Sequence, residues 1–148
     1  MKLFKRKMTK KQKTAINALA DGIECGAKLR PQCRAGLMRI VDEDQNEKTG
    51  MFGSCALGAA YECALIKKGI KIDREVIYAI IRMSFDDILK EYGVTNRVGL
   101  NYIEVETDLG DMRRVADQDA DVSALIWRLN DWMNWTREQI AQFLRELE

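Results

Sequence analysis

The chain reads as a mainly α-helical protein: a single compact domain of about five helices, with a small β-hairpin near residues 37–53. Three observations predict this. Apolar residues recur at three- and four-residue spacing in several separate stretches, the pattern of helices that bury one face. Thr9, Ser84 and Thr136 each stand three residues before a side chain able to close a capping box, namely Gln12, Asp87 and Gln139. The 148 residues contain one proline, so helical runs are seldom interrupted, and that length suits one core rather than two.

A basic arm, residues 1–8, precedes the domain at 9–148. Lys2, Lys5, Arg6, Lys7, Lys10, Lys11 and Lys13 crowd the start without an acid, which leaves the remainder acidic although the whole chain carries only +1. The first helix opens at Thr9, and Ile16, Leu19, Ala20 and Ile23 form its stripe. Pro31 ends it, because proline disfavours helical geometry at Arg30. Leu37–Val41, a polar turn over 42–50 and Met51-Phe52 make the hairpin. Ser54 suits the N-cap of a helix over Cys55–Lys68, and Gly69 its stop. Gly58, Ala59 and Ala60 leave that helix nearly bare, so it should lie at the centre with a neighbouring backbone close by. Asp73 caps a helix striped by Val76, Ile77, Ile80, Ile81 and Ile88; Ser84 restarts it midway and Gly93 follows it. Residues 94–112 have no clear period, and Tyr102–Val105 reads as a short strand. From Asp121 the stripe Val122, Leu125, Ile126, Leu129, Trp132 and Met133 leads through a tight turn to a last helix from Thr136, with Ile140, Phe143, Leu144 and Leu147. This is an αα-hairpin.

Several chemistries are excluded. The chain has no histidine, hence no Ser-His-Asp triad, no Cys-His pair and no histidine metal ligand. Met1–Met8 is basic with no apolar core behind it, and the best apolar stretch, Cys55–Ile66, contains Glu62 and falls short of the roughly 20 residues a bilayer requires. The expectation is a cytoplasmic protein without a membrane partner. In that compartment Cys25, Cys33, Cys55 and Cys63 read as free thiols, and no CxxC pair suggests zinc. Asp42, Asp44 and Asn46, like Asp117, Asp119 and Asp121, begin as calcium loops do. Glu47 and Val122 then stand where glycine is required, and Gly53 and Arg128 where a bidentate glutamate is required. No metal and no cofactor are expected.

The candidate sites are few. Cys55, at the first turn of its helix, would gain thiolate character from backbone amides and the helix dipole, with Glu62 and Arg30 as companions; otherwise it is a buried small residue. Lys5, Arg6, Lys7, Lys10 and Lys11 could hold nucleic acid non-specifically, or merely solubilise a tail. Trp135–Leu144 looks like the leading half of a helix-turn-helix, but Arg137, Glu138, Gln142, Arg145, Glu146 and Glu148 give its outer face mixed charge, a poor match to a DNA groove. Trp127 lies off its stripe beside Asn130-Asp131, which makes it either covered by the fold or an interface anchor.

Three segments taken together carry a resemblance: Gly26–Gln32 with its L-R-P-Q, Ser54–Glu62 reading S-C-A-L-G-A-A-Y-E, and Leu129-Asn130-Asp131 followed by W-T-R-E-Q-I-A at 135–141. In this the chain resembles a family of small bacterial and phage-encoded proteins, to which no activity is attached. The resemblance implies that Arg30, Gln32, Cys55, Glu62, Asn130 and Asp131 are worth testing together. The lysine-rich start and the long middle section depart from the family pattern and inherit nothing from it. The leading expectation is a phage or mobile-element accessory protein that acts by binding another protein, for instance as an inhibitor of a host or defence protein. The alternatives are a small-ligand binder or enzyme at the Cys55 helix start, and a nucleic-acid binder through the basic arm.

Overall fold

The computed structural model describes residues 8–41, 50–97, 100, 102–117 and 120–147. Helix α1 (Lys10–Ala27) starts where the sequence predicts, with the Thr9 hydroxyl accepting from the Gln12 amide at 3.1 Å. The Gln12 side chain does not close the box. It donates to the Thr95 carbonyl at 2.8 Å and accepts from the Thr95 amide at 3.0 Å, and so ties a distant loop to α1. Ile16, Leu19, Ala20 and Ile23 are fully buried, as their spacing requires.

Strands β1 (Met38–Ile40) and β2 (Phe52–Ser54) pair antiparallel, Met38 opposite Ser54. Most of the predicted turn, with Asp42, Asp44 and Asn46, lies outside the described residues. Helix α2 (Ala56–Lys67) follows at once. Its N-cap is Cys55 and not Ser54: the Cys55 sulfur accepts from the Gly58 amide at 3.4 Å. Ser54 cannot serve, because it is the last residue of β2 and its hydroxyl accepts from Arg137.

Helix α2 is the central one, and backbone contact explains its small residues. A Cβ on Gly58 would sit 2.1 Å from the Leu37 carbonyl oxygen, and one on Gly26 would sit 1.9 Å from the Ala59 carbonyl oxygen. This approach of α1 to α2 overturns the expectation of four free thiols. Cys25 and Cys63 form a disulfide across the two helices, their Cα atoms 5.9 Å apart, while Cys33 and Cys55 stay free and buried. Spacing along the chain could not show which thiols the packing would bring face to face.

Helix α3 (Arg74–Ile81) is capped by Asp73, and α4 (Phe85–Glu91) by a complete capping box from Ser84 and Asp87. Gly93, at φ +76°, turns the chain away. Strand β3 (Ile103–Glu106) lies one residue beyond the predicted Tyr102–Val105, and β4 (Met112–Ala116) pairs with it antiparallel. The sequence does not suggest β4: it reads M-R-R-V-A, and only Val115 and Ala116 are buried.

Helix α5 (Val122–Trp127) then runs into a π-helical segment, Arg128–Trp132, before α6 (Arg137–Glu146) opens with a full capping box at Thr136 and Gln139. Among the described residues there are thus six α-helices and two small antiparallel sheets around one core, to which every α-helix contributes. Helix α6 is fastened to α1. Lys13 reaches the carbonyls at the end of α6, where a cation is favoured by the helix dipole, and Arg145 pairs with Asp21 at 2.6 Å and with Glu24. No helix among the described residues is long and apolar enough to cross a membrane.

Candidate functional site

The three segments that carry the family resemblance meet in space. Arg30, just past α1, donates through Nε to both Glu62 carboxylate oxygens at 2.8 and 3.0 Å, and Glu62, on α2, is only 1% exposed. Gln32 donates to the Asn130 side-chain oxygen at 2.8 Å and to the Trp135 carbonyl at 2.8 Å. The same Asn130 oxygen accepts from the Ala56 amide at the start of α2, and its amide group donates to the Cys33 carbonyl at 2.9 Å and to Asp131. Asp131 in turn accepts from the Ala35 amide at 3.1 Å, which holds Ala35 in its left-handed conformation at φ +62°. Of the six residues singled out together, five fall into two hydrogen-bonded groups, Arg30 with Glu62 and Gln32 with Asn130 and Asp131, which together make a clasp, and Cys55 sits beside it as the α2 N-cap.

A seventh member, Arg137, was placed by its sequence pattern on an exposed face. It is 6% exposed. Its guanidinium donates to Ser54 Oγ at 2.8 Å and to the carbonyls of Arg30 at 2.7 Å, Ala27 at 3.1 Å, Ser54 at 3.3 Å and Pro31 at 3.4 Å. It thereby closes the end of α1, β2 and α6 onto one another. Burial lowers its pKa from the usual arginine value.

The clasp spends its polar atoms on itself, apart from the buried Arg137 Nε. The neighbouring cleft, between Cys55, Phe85, Trp127 and Asp131, offers about 10 Å³, room for one water. Cys55 also fails the requirement for a nucleophile. Burial pushes its thiol up to about 12, outweighing the Gly58 amide, so the expected thiolate character is lost. Helix-dipole reasoning missed this because it considered the amides and not the desolvation. Cys33 is pushed up to about 11 for the same reason.

Lys5, Arg6 and Lys7 lie outside the described residues. Lys10 and Lys11 are exposed on the first turn of α1, and farther along that helix Asp21 and Glu24 hold Arg145.

The most accessible aromatic surface lies elsewhere. Trp132, assigned by its spacing to the buried stripe, is 61% exposed. The reason is local: the Met133 amide donates to the Arg128 carbonyl five residues back, at 3.0 Å, and this wider turn shifts the helical phase so that Trp132 leaves the stripe. Trp127 is half-buried and packs edge-on against Trp132, ring centroids 4.7 Å apart, while the Arg128 guanidinium lies 5.7 Å from one ring centroid and 5.5 Å from the other. Arg128 also donates to the Val115 carbonyl at 3.3 Å. Trp132 is therefore exposed but held. It forms one wall of an open groove of about 490 Å³; Leu109, Arg113 and Arg114 of the β3–β4 hairpin form the other, and Asn134, left-handed at φ +55°, and Trp135 continue the first. Leu109 is 90% and Met112 57% exposed at the same hairpin. No periodicity argument could have found this groove, since it depends on a π-turn and on an unpredicted strand.

Comparison with protein-family models, curated proteins and solved structures finds no match.

Proposed function

We propose that this chain is a protein-binding module whose contact surface is the groove between Trp132 and the β3–β4 hairpin. The observation that carries the reading is the state of Trp132: largely exposed, yet fixed by Trp127 and Arg128. A rigid aromatic side chain loses little conformational entropy on contact, and Trp and Arg are, with Tyr, the residues enriched at binding hot spots. Leu109 and Met112 add exposed apolar surface nearby, which a chain without a partner would have reason to cover. The clasp supports the groove from behind, because Asn130 and Asp131 belong to the same π-helical segment as Trp132 and Gln32 binds the Trp135 carbonyl. The resemblance to phage-encoded chains suggests the setting: an accessory protein acting on a host or phage protein.

The test is capture from the native host with tagged wild-type chain and Trp132→Ala side by side, followed by mass spectrometry. The reading expects a partner that the wild type retains and Trp132→Ala loses. A partner retained equally by both overturns the groove as the contact surface.

A further inference from the structure

The Cys25–Cys63 bridge fastens the end of α1 to α2 where that end meets the clasp. Cys63 follows Glu62, which holds Arg30, and Cys25 stands two residues before Ala27, whose carbonyl accepts from Arg137. The last turn of α1 carries no basic side chain to steady its carbonyls. Past that turn, Gln32 binds Asn130 and the Trp135 carbonyl. Residues 28–35 are thus tethered by the bridge at one end and by Asn130 and Trp135 at the other.

The two sulfurs are unequally sheltered. Cys63 is fully buried, whereas Cys25 is half-buried. Cys33 and Cys55 are buried, and burial pushes their thiols up to about 11 and about 12, so neither supplies a thiolate that would shuffle the bridge. Its state is therefore set by thiols and disulfides from outside the chain. A bridge within reach of such thiols opens in a reducing compartment and persists in an oxidising one. The core does not hang on it: Ile16, Leu19, Ala20 and Ile23 bury α1 in the turns before Cys25.

We propose that Cys25–Cys63 is a redox latch on the clasp, opened in the folded chain by a dithiol reductant and freeing residues 28–35 when open. A thiolate of the reductant attacks the Cys25 sulfur; the S–S bond breaks, and the Cys63 sulfur leaves with the electron pair and takes a proton. The reductant's second thiolate then attacks its own sulfur in the mixed disulfide and releases Cys25, which is protonated in turn. The reductant ends as a disulfide and the chain gains two thiols. Closing runs the same steps backwards with an oxidised dithiol.

The test treats the folded full chain with dithiothreitol at neutral pH without denaturant. Acid traps the thiols, which are alkylated in denaturant and mapped by mass spectrometry, and hydrogen exchange compares the two states. Before treatment only Cys33 and Cys55 should be alkylated; afterwards Cys25 and Cys63 should join them, with the far-ultraviolet circular dichroism unchanged. The Leu29, Cys33 and Ala35 amides, bonded to the Gly26 carbonyl, the Ser54 carbonyl and Asp131, should exchange at least about tenfold faster once the bridge opens, and those of the β3–β4 ladder should not change. Cys63→Ser, which cannot form the bridge, should show the fast exchange with or without dithiothreitol; if it does not fold, the wild-type comparison decides alone. Four free thiols before treatment overturn the latch. So does a bridge that opens only in urea, or one whose opening unfolds the chain. Equal exchange of the three amides in the closed and open chain overturns the freeing of residues 28–35, and with it the latch.

Discussion

Replacing Arg137 with alanine should destabilise the protein severely, and the structure says by how much. The guanidinium makes five hydrogen bonds, but their loss is unequal. The Ser54 carbonyl also accepts from the Cys33 amide at 3.0 Å, and the Pro31 carbonyl from the Ser54 amide at 2.9 Å, so both keep a partner. The carbonyls of Ala27 and Arg30 lose the strongest bond they have at the closed end of α1. A buried group left unsatisfied costs about 1–3 kcal/mol, and the missing side chain leaves a void besides. Removing the charge relieves some desolvation, which offsets part of this. The balance is a loss of about 3–5 kcal/mol, a large share of the roughly 5–15 kcal/mol that holds a domain together. Arg137→Lys should recover only part, since an ammonium lacks the planar fork that spans Ser54, Arg30 and Ala27. Urea unfolding followed by far-ultraviolet circular dichroism measures it. A loss below about 1 kcal/mol for Arg137→Ala, within the usual range for a surface substitution, would refute the reasoning.

Other consequences are as direct. Gly58→Leu drives a side chain into the Leu37 carbonyl and should cost at least about 1–3 kcal/mol, read as a lower melting temperature; an unchanged melt contradicts the close approach of α2 to Leu37. Reducing the Cys25–Cys63 bridge reopens a loop of 38 residues and should lower stability by about 3–4 kcal/mol, with Cys63→Ala giving the same loss without reductant. Stability should fall above about pH 9. Cys33 and Cys55 keep their protons in the folded state up to about 11 and 12, whereas the unfolded thiols release them from about 9, so the unfolded state is favoured increasingly across that window. Each thiol adds a slope of up to about 1.4 kcal/mol per pH unit, and Cys55→Ala should flatten the profile of unfolding against pH. Iodoacetamide on the native protein at neutral pH should label Cys55 slowly; rapid selective labelling would contradict its burial.

What the sequence reveals here follows from how local its causes are. Helix starts at Thr9, Asp73, Ser84 and Thr136 were legible because a cap is a contact between residues three apart. The bare surface of Gly58 was legible because only close backbone approach rewards it. The disulfide, the burial of Arg137 and the partners of Gln12 were not, since each joins positions far apart in the chain. Trp132 shows a subtler failure. Its spacing is correct for an α-helix, and one π-turn is enough to send it outward. Residues of the resemblance segments bind one another and leave little open space. The open groove sets the β3–β4 hairpin of the middle section, about which the resemblance says nothing, against Trp132 and Trp135.

The central claim is that Trp132, held by Trp127 and Arg128, anchors a protein partner. The most direct measurement is the affinity of the captured partner for wild-type chain and for Trp132→Ala, by calorimetry, with both variants shown to melt alike. The account predicts a loss of at least about 2 kcal/mol in binding, roughly thirtyfold in Kd, as for a hot-spot tryptophan. Affinities within about twofold of one another would contradict it.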